Sequence, residues 1–225
     1  MRHLQLVIFD CDGVLVDSER ISNGVLAEIL GEYGLPLSLE ETIERFIGRS
    51  LPQCVEIIAT LLGHEPPADF RAQFAQRTWT AFGARLAPVA GVEEVLRSIS
   101  LPCCVASNGN RAKMNFTLGR TGLLGRFRDR MYCAEDVAEP KPAPDLFLHA
   151  ARCHAADPSR CIVVEDTPTG ITAARAAGMG AYGFAAMTPG ARLKDAGAHV
   201  VFSDMSDLPT LLAQHQVHWR SADEQ

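Results

Sequence analysis

The sequence predicts an α/β protein, a doubly wound, Rossmann-like parallel sheet with a helical cap inserted after its first strand. Three observations lead there. Apolar runs of strand length recur along the chain: "LQLVIF", "PCCVAS", "CIVVED" and "AYGFAA", with "AHVVFS" as a fifth candidate. Their hydrophobicity is continuous, as expected of strands covered on both faces of a parallel sheet. From about residue 91 onward, helical segments alternate with these runs, the rhythm of a doubly wound core. Between residues 17 and 86 the alternation stops and only amphipathic helices follow. Residues 1–16 and 87–225 are therefore expected to form a discontinuous catalytic core, and 17–86 a helical cap.

Taken in order, "LQLVIF" is the first strand. "SERISNGVLAEILGEYG" is an amphipathic helix that stops at Gly34. "SLEETIERFIG" opens with Ser38-x-x-Glu41, the pattern in which a serine side chain and a glutamate three residues on cap one helix start reciprocally. "LPQCVEIIATLLG" and "PADFRAQFAQRTWTAF" complete the helical block, with Trp79 read as a packing residue. In the core, helices are expected over Glu93–Ile99, Arg111–Gly119, Pro144–Cys153 and Pro168–Ala177, the last closed by Gly178. A glycine there suits the left-handed backbone that ends many helices.

Composition narrows the function. The chain has 225 residues, 47% hydrophobic and 21% charged, with net charge −6. Those values suit a globular protein with a sizeable core. Order is expected to give way only at the polar end "RSADEQ". No basic block appears, which argues against nucleic acid as a partner. No apolar run reaches the roughly 18 residues of a membrane helix, and "MRHLQLVIFDCDG" brings acids too early for a signal peptide. The seven cysteines are odd in number, lack a C-x-x-C pattern and sit partly in apolar runs. Reduced thiols in a cytoplasmic protein are the expectation. Without a coiled-coil seam or a long exposed edge, a monomer is expected.

Four stretches carry chemistry. "VIFDCDGVLVDSE" ends a buried strand in Asp10 and Asp12, with Gly13 behind them. Residues i and i+2 of a strand point the same way, so both carboxylates can face one site. A divalent cation offsets such like charges, and oxygen ligands suit Mg²⁺. The competing reading is a plain Asp-Gly turn. "VASNGN" places Ser107 and Asn108 before a helix, where a hydroxyl, an amide and free N–H groups can hold phosphate; simple N-capping is the alternative. "AEPKPAPDLF" holds Lys141 among three prolines that stiffen its loop, against the reading of an ordinary solvated lysine. "IVVEDTPTG" ends a strand in Glu165 and Asp166. These acids can complete a metal site with Asp10, or Asp166 or Thr167 can cap the helix with Pro168 in its first turn.

Each stretch lies at the C-terminal end of a strand or in the loop behind it, where open α/β sheets gather their sites. The four, in this order and over nearly the whole chain, resemble the haloacid dehalogenase-like hydrolases, and the helical insertion looks like that family's small cap. The resemblance implies that Asp10 attacks phosphorus and becomes an aspartyl-phosphate, and that Asp12 is the general acid/base. It implies Mg²⁺ bound by Asp10, the Asp12 carbonyl and Asp166, with Glu165 in or beside that shell. Ser107, Asn108 and Lys141 would hold the transferring phosphoryl group. In the cap, "FIGRS" is the expected specificity loop, with Gly48, Arg49 and Ser50 facing a small phosphorylated metabolite.

Members that act as dehalogenases lack the second aspartate; Asp12 is present here, favouring phosphoryl chemistry. The nearer resemblance is to the helical-cap phosphatases and β-phosphoglucomutase. The mutase carries a cap histidine where this chain has Ser22, and a lysine where it has Ile47. The expectation is thus a Mg²⁺-dependent phosphatase of small sugar or sugar-acid phosphates, with "MYCAEDVAEPKPAPDLF" and "SNGNRAKMN" resembling the 6-phosphogluconate phosphatase type. A mutase-type phosphoryl transfer and a non-catalytic sugar-phosphate sensor are the alternatives.

Overall fold

The computed structural model of the chain describes residues 3–47, 49 and 51–222, with side chains to residue 215. It divides into two units, Met1–Val16 with Pro88–Gln225, and Asp17–Ala87. The sequence had assigned Ala87 to the core.

Among the described residues of the core unit six strands form one sheet. They are β1 (Leu6–Phe9), β2 (Cys103–Ser107), β3 (Met131–Cys133), β4 (Cys161–Glu165), β5 (Gly180–Phe184) and β6 (Val200–Phe202). Their order is β3-β2-β1-β4-β5-β6 and every pairing is parallel. All residues of β1, β2 and β4 are buried, which is why these strands read as unbroken apolar runs. The order of progression reverses beside β1, so ligand chemistry is expected at the carboxyl ends of β1, β2 and β4. β3 escaped sequence reading because only three residues pair, within a polar stretch.

The core helices, numbered after the four of the helical unit, are α5 (Val92–Ser98), α6 (Arg111–Arg120), α7 (Leu124–Phe127), α8 (Asp145–Cys153), α9 (Pro168–Ala176), α10 (Gly190–Asp195) and α11 (Leu208–Ala222). Under the sheet, Leu6, Ile8, Ala106 and Val163 pack with Leu146 and Phe147 of α8 and Ile171 and Ala174 of α9. Each of the Leu, Ile, Val and Phe side chains contributes about 1.5–3 kcal/mol on burial. Gly178 closes α9 at φ +71°, as the glycine pattern suggests. α11 extends through Ser221 and Ala222, so the first residues of the polar end are helical; residues 223–225 lie outside the described part.

The helical unit consists of α1 (Ser18–Glu32), α2 (Leu39–Phe46), α3 (Leu51–Leu62) and α4 (Phe70–Arg85). Val25, Leu26, Ile29 and Leu30 of α1 bury against Phe46, Ile58, Phe70 and Ala81. The Ser38 capping box is complete: the Glu41 N–H donates to Ser38 Oγ (3.1 Å), and the Ser38 N–H to Glu41 Oε2 (2.8 Å). Trp79, expected to pack, is 41% exposed. All seven cysteines are free; five are buried, Cys54 is half-buried and Cys153 exposed. Among the described residues no helix is long and apolar enough to cross a membrane.

Candidate active site

The first site residues come from the end of β1. The Asp10 N–H donates to the Val164 carbonyl (2.9 Å), extending the β1–β4 ladder by one residue. The chain then closes a tight loop in which the Leu15 and Val16 N–H groups both bond the Cys11 carbonyl, at 3.0 Å each. Cys11 is buried and meets Thr117 of α6, Sγ to Oγ1 3.8 Å. Strand alternation therefore aims Cys11 into the core and leaves the carboxylates before and after it on the other side.

Gly13 makes the loop possible twice over. Its φ is +74°, a backbone glycine adopts without penalty. A Cβ on it would overlap the carboxylate of Asp166, standing 2.8 Å from Asp166 Cγ. The Asp166 carboxylate, itself buried, thus lies directly against the loop that carries Asp10 and Asp12. The helix that follows is capped by Thr167, whose Oγ1 accepts from the Gly170 N–H (3.1 Å), with Pro168 in the first turn. The capping alternative thus falls to Thr167.

Lys141 is buried, the opposite of a solvated loop lysine. Its ammonium donates to Asp10 Oδ1 (2.6 Å), Glu165 Oε1 (2.8 Å) and the Ala106 carbonyl (2.8 Å), and lies 4.7 Å from the centre of the Phe147 ring. Three donors are matched by three acceptors. Burial opposes the ammonium's charge, but Asp10 and Glu165 outweigh it and hold the pKa above the ordinary lysine value. Burial, with further repulsion from Glu165 and Asp12, pushes Asp10 up to about 7 against the pull of Lys141.

The backbone of Lys141 is clamped by Asn108. Asn108 Nδ2 donates to the Lys141 carbonyl and the Lys141 N–H donates to Asn108 Oδ1, both at 3.0 Å. The Asn108 side chain is thereby committed to the lysine loop. Ser107 is buried at the end of β2, and its Oγ accepts from the Gly109 N–H (3.1 Å). Asn110, not Ser107 or Asn108, caps α6: its Oδ1 accepts from the Lys113 N–H (2.8 Å).

Glu165 faces Lys141. Its Oε2 accepts from the Thr167 N–H (2.9 Å) and hydroxyl (2.8 Å), so both oxygens are engaged by protein donors. Asp12 has a lysine of its own. Lys113 Nζ donates to Asp12 Oδ2 at 2.9 Å. Sequence reading passed over Lys113; its one signal was a cation three residues past the cap of the helix behind "SNGN".

The donor set suits a hard divalent cation. Among the described residues no three His, Cys, Asp or Glu side chains form a ready-made cluster. Asp10 opens the loop, and the Asp166 carboxylate lies against its Gly13. One or two carboxylates completed by water and substrate oxygens is how proteins commonly hold Mg²⁺.

In the helical unit, Arg49 is exposed and its Nε donates back to the Arg45 carbonyl (3.0 Å). With Glu19, Ser22, Asn23, Phe46 and Cys54 it lines a cavity of about 200 Å³. Gly48 and Ser50 of the expected specificity loop lie outside the described residues.

The haloacid dehalogenase-like hydrolase model matches residues 4–178. The 6-phosphogluconate phosphatase of Escherichia coli is 34% identical over 191 residues, spanning 83% of this chain and 85% of that one. The fructose-1-phosphate phosphatase of the same organism is 32% identical over 179 residues, 78% of this chain and 93% of that one. A haloacid dehalogenase-like protein of unknown function from Agrobacterium tumefaciens superposes with TM-score 0.90 at 36% identity, covering 94% of this chain and 99% of that one. A family hydrolase from Deinococcus radiodurans, solved with phosphate and sodium, gives 0.85 at 31% identity, covering 95% and 97%.

Proposed function

The chain belongs to the haloacid dehalogenase-like hydrolase family and is a phosphoric monoester hydrolase; we propose that it hydrolyses small sugar or sugar-acid phosphates, with Mg²⁺, through an aspartyl-phosphate on Asp10. The observation that carries this reading is the Lys141 ammonium, buried and bonded to Asp10 Oδ1 at 2.6 Å, at a point where three strand ends meet. A fixed cation beside a carboxylate nucleophile is what phosphoryl transfer needs, since its catalysis is mostly positioning and charge stabilisation.

In this reading Asp10 attacks phosphorus while Lys141 holds its Oδ1 and favours the ionised carboxylate against the effect of burial. The Ser107 hydroxyl and the N–H groups following it, with the Lys141 ammonium, hold the phosphoryl oxygens. Asp12 gives a proton to the departing alcohol oxygen and then takes one from the water that releases phosphate. Glu165 orients Lys141 rather than ligating metal, because both its oxygens are already engaged. Asp10, the Asp12 carbonyl and Asp166 would hold Mg²⁺. The ion would offset the crowded negative charge and neutralise the phosphoryl oxygens.

The substrate class rests on relatives named for 6-phosphogluconate and fructose 1-phosphate. Arg49, with Gly48 and Ser50, is assigned to substrate selection, because a guanidinium pairs bidentately with a carboxylate or phosphate. A phosphate-release panel over sugar phosphates, run with Mg²⁺ and with EDTA, tests the proposal. It predicts release from at least one sugar or sugar-acid phosphate, lost in EDTA and in Asp10→Asn. Isomerisation without net release would install the mutase alternative. Tight binding without turnover would install the sensor.

A further inference from the structure

Each of the two aspartates has a separate lysine. Asp10 is bonded by Lys141 at 2.6 Å, and Asp12 by Lys113 at 2.9 Å. The second pair is 101 positions apart in sequence and couples the nucleophile loop to the first turn of α6. We infer that Lys113 is a positioning residue for the proton-transferring carboxylate: it fixes Asp12 over the phosphate loop so that Asp12 can reach the leaving oxygen. The inference rests on the reading of Asp12 as general acid/base.

The placement of Lys113 is unusually determined. Its N–H is bonded by the Asn110 cap at 2.8 Å. Its carbonyl accepts from the Thr117 hydroxyl at 3.0 Å, and that hydroxyl meets Cys11, the residue between the two aspartates, at 3.8 Å. The start of α6 is anchored in turn by Arg111, which donates to the Met131 carbonyl (3.1 Å) and to both Asp136 oxygens (2.7 and 2.6 Å). A Cβ added to Gly109 would lie 3.4 Å from Ser107 Oγ, 3.6 Å from Lys113 Cδ and 3.7 Å from Asp12 Oδ2. The lysine stem, the carboxylate and the phosphate loop therefore surround one small space. Lys113 holds Asp12 by Oδ2.

Removing a positioner slows the reaction where a proton must be delivered. The test measures kcat/KM of Lys113→Met on two substrates. 6-Phosphogluconate has a poor alcohol leaving group and needs the proton. p-Nitrophenyl phosphate releases a stable phenolate and does not. General acid catalysis contributes about 10²–10⁴-fold, so losing its alignment should lower kcat/KM for the sugar-acid ester at least tenfold, with p-nitrophenyl phosphate changing less than about threefold. Lys113→Arg, which can still reach Oδ2, should restore most of the difference. Adding Lys113→Met to Asp12→Asn should cost little more than Asp12→Asn alone, since the two act as one unit. Equal losses on both esters would make Lys113 a phosphate binder and overturn the inference, as would a faster enzyme or full additivity. If Asp12→Asn itself shows no leaving-group dependence, the role given to Asp12 fails instead. If the unaltered enzyme does not turn over 6-phosphogluconate, the alkyl ester used is whichever sugar or sugar-acid phosphate it does hydrolyse; if it hydrolyses none, the substrate class fails instead.

Discussion

Replacing Lys141 by methionine removes a charge while keeping most of the side-chain volume. Three acceptors lose their donor at once: Asp10 Oδ1, Glu165 Oε1 and the Ala106 carbonyl. Two of them are buried carboxylates, at 7% and 1% exposure, so water can reach little of either. Removing one partner of a buried ion pair costs about 3–5 kcal/mol, because the remaining charge stays desolvated and unpaired. For a chain of this size each kcal/mol moves the melting temperature by about 2–4 °C, which predicts a fall of roughly 6–20 °C. Scanning calorimetry without metal measures it and separates the transition of the core from that of the helical unit. Adding Glu165→Gln to Lys141→Met should return part of the loss by removing one orphaned charge, a non-additivity of about 1 kcal/mol or more. A Lys141→Met core that melts within a degree of the unaltered protein would show that the ammonium does not hold buried carboxylates in place.

Gly170→Ala sets two effects against each other: alanine favours a helix by about 1 kcal/mol, but its Cβ would overlap the Glu165 carboxylate. The clash should win, giving a less stable protein with impaired turnover; a stabilised, fully active variant in melting and activity assays would contradict it. Mg²⁺ at a hundred times its dissociation constant should stabilise the fold by about 2.7 kcal/mol. Asp166→Asn and Gly13→Ala should lose most of that shift in thermal melts with and without the ion. Partial desolvation lowers the pKa of His199, exposed beside Arg175, from 6.5, with repulsion from Arg175 and then His215 adding to it. The unfolded chain therefore binds the extra proton first, and stability present above pH 6.5 is lost as pH falls through the folded value. His199 Nδ1 accepts from the Ala181 N–H at 2.9 Å, so His199→Gln can keep that bond and should flatten this decline in urea titrations between pH 7.5 and 5.

The fold was readable because β1, β2 and β4 are buried on both faces and so leave uninterrupted apolar runs. β3 left no such mark, having three paired residues. At the site, Asp10, Ser107, Glu165 and Asp166 stood out because each follows or ends such a run, and Lys141 because prolines crowd it. Unreadable were the partners. The Asn108 clamp on Lys141 spans 33 positions, the Lys141–Glu165 pair 24 and the Lys113–Asp12 pair 101. None leaves a local pattern, since each exists only once the sheet has brought its strand ends together. The adjacent pair Glu165 and Asp166 looked alike as metal ligands, yet strand alternation turns Glu165 toward Lys141 and Asp166 toward Gly13. The two like charges at the end of β1 are offset separately, one by each lysine.

The most direct test is to mix enzyme, Mg²⁺ and 6-phosphogluconate, quench in acid within the first turnovers and map the phosphoryl group by mass spectrometry. Phosphate is expected on Asp10 and absent in Asp10→Asn, which should also release no inorganic phosphate. Turnover with no phosphoryl group on Asp10 at any quench time, together with phosphate release that survives Asp10→Asn, would contradict it.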